Sequence, residues 1–112
     1  MGAASIIEQR WSQRRAVTLD VDVFDHGSLL MSCSSRDVGL GGVFLEANVG
    51  SFKPDQDLDL FFSLGDEGST KHKLKAKVVR ILGEGAGLVF KDFDTSSFRS
   101  LQEIMRHSVK AV

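Results

Sequence analysis

Apolar and polar residues alternate with a period of two through most of this chain. Val17, Leu19, Val21 and Val23 are separated by Thr18, Asp20 and Asp22, the spacing of a half-buried strand. Asp25-His26-Gly27 supplies a turn, and Ser28 to Arg36 reads as a second strand with Leu29, Met31 and Cys33 on one face. Asp37 to Gly42 interrupts the pattern, and Val43-Phe44-Leu45 resumes it. Leu58, Leu60, Phe62 and Leu64 alternate again, and Thr70 to Leu82 places Leu74, Ala76 and Val78 inward. The adjacent pair Val78-Val79 breaks strict alternation and predicts a bulge. Gly83-Glu84-Gly85 turns into a last strand, Ala86 to Phe90. The period then changes. Asp94-Thr95-Ser96 offers N-cap candidates, and Phe98, Leu101, Ile104, Met105 and Val109 follow helical spacing.

Six strands this short protect their edges best by closing on themselves. The expected class is mainly β: a six-stranded antiparallel β-barrel followed by one amphipathic C-terminal α-helix that caps an end. Residues 1–16 have little strand character and read as a flexible N-terminal arm, with the barrel and helix spanning 17–112. There is no internal repeat or low-complexity segment.

Composition narrows the function. With 112 residues, 42% apolar and 26% charged, the chain suffices for one compact domain. A formal net charge of -1 exerts no global pull on nucleic acid or acidic membranes, so an anion site must be built locally. The single cysteine, Cys33, precludes an internal disulfide. With no signal-like segment, that suits a cytoplasmic protein. No apolar run approaches the roughly 20 residues that span a bilayer. Met1-Gly2 opens like a myristoylation signal, but Ile6 stands where Ser or Thr is required. His26, His72, His107 and Cys33 lack metal-ligand spacing. Cys33 lies mid-strand as a structural thiol, and no GxxxxGK[ST] phosphate loop occurs. These features point away from an enzyme and from any metal or cofactor.

Two features remain. The first is Arg10-Trp11-Ser12-Gln13-Arg14-Arg15. Arginine meets phosphate with a planar fork and can lay its flat face on a base, so two arginines four apart could close over a doubly charged ligand. The same residues also suit a solvated basic segment. The second is Asp37-Val38-Gly39-Leu40-Gly41-Gly42. Its glycines permit positive φ and close approach of a ligand to the backbone, and Asp37 can accept hydrogen bonds from a guanine edge. An ordinary glycine-rich turn with Asp37 as turn former fits equally well.

Taken together, an RxxxR arm before the first strand and a [DN]xSxxG-type turn after the second resemble the PilZ domain family. RxxxR is Arg10 to Arg14, and Asp37 to Gly42 fills the second motif with Gly39 in the serine position. Val78-Val79-Arg80-Ile81, Gly87-Leu88-Val89-Phe90 and the terminal helix extend the resemblance over residues 8 to 107. It implies a barrel that receives the bacterial second messenger cyclic di-GMP and signals to a protein partner. By position, Arg10 and Arg14 contact phosphate and guanine, with Arg15 in reserve. Asp37, Gly39, Gly41 and Gly42 form the turn that holds the other guanine edge. Gly39 lacks the serine hydroxyl, and Arg36 is a further nearby cation.

Two other functions stay open. One is a PilZ-like protein-interaction module that binds no nucleotide. The other is a nucleic-acid-binding β-barrel, suggested by Lys71, Lys73, Lys75 and Lys77 on one strand face. No aromatic residue interleaves with that stripe, as stacking on single strands requires, and lysine also blunts strand edges.

Overall fold

The computed structural model describes residues 15–48, 50, 52–65 and 70–106. Its strands are β1 (Arg15–Ala16), β2 (Asp20–Asp25), β3 (Ser28–Val38), β4 (Gly42–Glu46), β5 (Asp57–Leu64), β6 (Thr70–Leu82) and β7 (Gly85–Lys91), and its helix is α1 (Thr95–Met105). All pairings are antiparallel. They run β3-β2-β5-β6-β7-β4, and β4 pairs back onto β3 to close a ring of six. Closure leaves no free edge in the ring, as expected from the short alternating segments. The two-residue β1 lies on the same edge of β3 as β2, beyond the interruption at residues 17–19, with Arg15 opposite Val38 and Ala16 opposite Asp37.

Alternation fills the barrel. Val21, Val23, Val43, Leu45, Leu60, Phe62, Leu74, Ala76 and Val78 are buried in one core. At about 1.5–3 kcal/mol for each large side chain removed from water, this core dominates the favourable side of folding. Leu101 and Ile104 of α1 join it, with the helix packed against β6. Asp94 is the N-cap, its Oδ1 accepting from the Ser97 N–H at 2.8 Å. Val109, the last residue of the expected apolar stripe, lies outside the described residues.

Three irregularities shape the wall. The predicted bulge is present, because Val78 pairs with Leu88 and Arg80 with Gly87, leaving Val79 as the extra residue. A second bulge in β3 separates Val23–Met31 from Phe24–Leu29, leaving Leu30 extra. This overturns the expectation that Leu29 shares a face with Met31 and Cys33. The inserted residue turns Leu29 outward with Phe24, and it is 57% exposed. The third is Arg36, since Ser35 pairs with Leu45 and Asp37 with Phe44. The first expected strand also begins later, at Asp20, because residues 17–19 detour around the Ser35 side chain.

Candidate functional site

The β3–β4 turn is tight. Gly39 N–H donates to the Gly42 carbonyl at 2.8 Å, and Phe90 N–H reaches back from β7 to the Gly41 carbonyl at 2.9 Å. Among the described residues the glycines with positive φ are Gly27 and Gly65, so Gly39, Gly41 and Gly42 are not required by backbone conformation. Gly42 is required for another reason. A Cβ there would strike the Leu88 backbone carbonyl of the paired strand. At Gly41 a Cβ would stand in open space. The close approach anticipated at this turn is therefore between strands β4 and β7 at Gly42.

Because Val38 and Val43 point into the core, their neighbours Asp37 and Phe44 point outward, directly opposite one another. Phe44 lies opposite Gly87 and Gly87 opposite Arg80. Asp37, Phe44, Gly87 and Arg80 thus form one row across four strands. The Val79 bulge sets the register that places Arg80 in this row. An open groove of about 750 Å³ runs along it, bounded by Arg36, Asp37, Gly41, Gly42, Val79 and Val89 among others. Depressions of about 700 and 730 Å³ lie elsewhere on the surface, so the groove is set apart by its lining and not by its size.

The structure so brings together Asp37, Gly41 and Gly42 of the sequence-derived site. Gly39 is buried at the base of the same turn. Arg15 faces elsewhere, into a depression of about 440 Å³ beside α1 with Leu40, Phe98 and Arg106. Arg10 and Arg14 lie outside the described residues. Phe44 and Arg80 are groove residues that the linear motifs do not mark. Only the Val78-Val79 irregularity hints at Arg80, and only cross-strand register reveals Phe44.

Electrostatics divide the two groove arginines. Arg36 Nε donates to Glu46 Oε2 at 2.9 Å and its second nitrogen to Glu84 Oε2 at 3.3 Å. These bonds, Glu46 first, raise its pKa further above the ordinary guanidinium value. Its Cζ sits 4.4 Å above the centre of the Phe44 ring. Arg80 has no ion-pair partner among the described residues. Its charge is therefore available to an incoming anion.

Elsewhere the surface is charge-balanced. Lys77 stands opposite Asp57 and Lys75 opposite Asp59, while Lys71 Nζ lies 3.2 Å from Asp22. The lysine stripe is interleaved with carboxylates, which weakens its pull on a phosphate backbone. Burial, with Asp22 nearby, pushes the Cys33 thiol up to about 11, so at neutral pH it is a poor nucleophile. Among the described residues no cluster of metal-ligating side chains occurs. No helix among them is long and apolar enough to cross a membrane.

Fold and site together define a closed six-stranded β-barrel carrying an open groove on its outer wall. The sequence profile of the PilZ domain matches residues 8–107. The chain belongs to the PilZ domain family. Its fold is shared by the PilZ domain of CeSA from a cellulose-synthesising bacterium, at TM-score 0.71 and 15% identity, covering 85% of this chain and 97% of that one. It is also shared by the Bacillus subtilis inhibitor of motility MotI/DgrA, at TM-score 0.64 and 22% identity. That match covers 83% of this chain and 48% of the other, so this chain spans about half the length of that protein. No curated protein sequence matches significantly.

Proposed function

We propose that this domain is a receptor for cyclic di-GMP that binds without chemistry and passes the signal to a protein partner in the cytoplasm. The observation that carries this reading is the row Asp37–Phe44–Gly87–Arg80 beside the Gly39–Gly42 turn, on the barrel of a family whose ligand is this dinucleotide. The groove is lined by the Asp37 carboxylate, by Arg80, which has no ion-pair partner among the described residues, and by the Phe44 ring. Arg10 and Arg14 of the arm, with Arg15 in reserve, supply the remaining cations that two phosphates need.

Calorimetric titration with cyclic di-GMP tests it. The expected affinity lies between about 0.1 and 50 μM, or about 6 to 10 kcal/mol, with discrimination against mononucleotides. No heat and no NMR shift change at several hundred micromolar ligand overturns it. A second reading, a module that docks a protein without nucleotide, is favoured by Val79, Leu82 and Val89, which stand 54%, 41% and 41% exposed around the groove. The same titration separates the two.

A further inference from the structure

We infer that Arg36 is a stacking platform for a flat heteroaromatic ring, offering the face of its guanidinium and not its charged fork. The inference deepens the receptor reading and rests on it.

Arg36 is the extra residue of the β3–β4 bulge, so it is not tied to the simple alternation of its strand. Glu46, the last residue of β4, takes its Nε–H, and Glu84, in the β6–β7 turn, takes a second N–H. Carboxylates from two separate elements thus hold the guanidinium by its edges. Its Cζ lies over the Phe44 ring, and the side chain, 39% exposed, lines the groove. Phe44 in turn rests on backbone without side chains. A Cβ at Gly85 would come within 2.8 Å of its Cε1, and one at Gly87 within 4.0 Å of its Cδ2. Glycine backbone, phenyl ring and guanidinium thus follow one another at the wall of the groove.

Charge decides which ligand group this platform suits. One guanidinium flanked by two carboxylates is locally net negative, so a phosphate gains little by approaching it. A neutral ring stacking on the plane meets no such penalty, and arginine planes stack on bases. Val79 and Val89, exposed in the same groove, give the ring apolar edges to lie against. Arg80, unpaired among the described residues, is left as the groove arginine suited to phosphate.

Titration of wild type, Arg36→Lys and the double variant Glu46→Ala/Glu84→Ala with cyclic di-GMP distinguishes face from fork, with melting temperatures measured alongside. Lysine keeps the charge and loses the plane, so Arg36→Lys is expected to bind at least tenfold more weakly with unchanged melting. Removing the two carboxylates frees the guanidinium to move, and the double variant is expected to bind at least threefold more weakly. Arg36→Lys within twofold of wild type means that positive charge alone suffices, and tighter binding by the double variant means a latent phosphate fork; either result overturns the platform. Wild-type protein that does not bind overturns the receptor reading, and the platform falls with it. Wild-type binding with an unaffected Arg36→Lys overturns the platform alone.

Discussion

Ser35 donates its hydroxyl proton to the Val17 carbonyl from a position 18 residues away. The same oxygen accepts from the Leu19 N–H at 3.0 Å. Ser35 is the buried polar residue of the described core, and it occupies the place where the chain leaves β1 and has not yet begun β2. Its side chain completes backbone bonding that the interrupted ladder cannot. Ser35→Ala leaves a buried donor and acceptor unpaired and is expected to cost about 1–3 kcal/mol, read as a lower urea midpoint with an unchanged slope.

The glycines of the β3–β4 turn are expected to separate into two kinds. Gly42→Ala drives a methyl into the Leu88 carbonyl, and relieving it must part β4 from β7. A loss of about 2 kcal/mol or more is expected, in the range of overpacked sites. Gly41→Ala meets open space and should change stability by less than about 0.5 kcal/mol. Thermal unfolding of both variants checks the contrast. Equal melting would place the β4–β7 contact elsewhere.

The arginines proposed to meet the ligand are expected to act on binding without acting on folding. Arg10→Ala, Arg14→Ala and Arg80→Ala each remove a charge-assisted bond of about 1.5–3 kcal/mol, a loss of tenfold or more in cyclic di-GMP affinity. Melting temperature should stay within about 2 °C of wild type, since surface substitutions rarely move stability further. Calorimetry and differential scanning read the two quantities independently.

Acid should weaken the domain through its carboxylates. The Ser32 hydroxyl first, and then Lys71, hold Asp22 below the usual carboxylate range, and Asp25 and Asp57 are lowered by His26 and Lys91. A folded-state pKa below the unfolded one stabilises the fold above the unfolded pKa, and the gain is lost as pH falls through the folded value. Stability is therefore expected to hold from pH 7 to about 5 and to decline below about pH 4. Asp22→Asn should lower the unfolding free energy at pH 7 by less than about 1 kcal/mol, as partly exposed pairs do. Its deficit should vanish near pH 2. A deficit that persists there would mean that Asp22 acts by shape and not by charge.

The order of elements was legible from periodicity because each strand lies in a wall with a core on one side. Leu58, Leu60, Phe62 and Leu64 could alternate only if they entered a common interior, and all four are buried. The Val78-Val79 bulge showed in the sequence for the same reason, as a break in that rhythm. The Leu30 bulge did not show, because Leu29, Leu30 and Met31 are all apolar and read equally well in either register. That Asp37, Gly41 and Gly42 lie together was legible because turn residues are adjacent in the chain. Phe44 and Arg80 stand 36 residues apart and meet across Gly87 only when β4, β7 and β6 are paired. The grip of Glu46 and Glu84 on Arg36 likewise spans strands that are distant in sequence. Local periodicity determines which face of each strand is buried. Which outward residues become neighbours depends on register across strands, which closure of the ring decides.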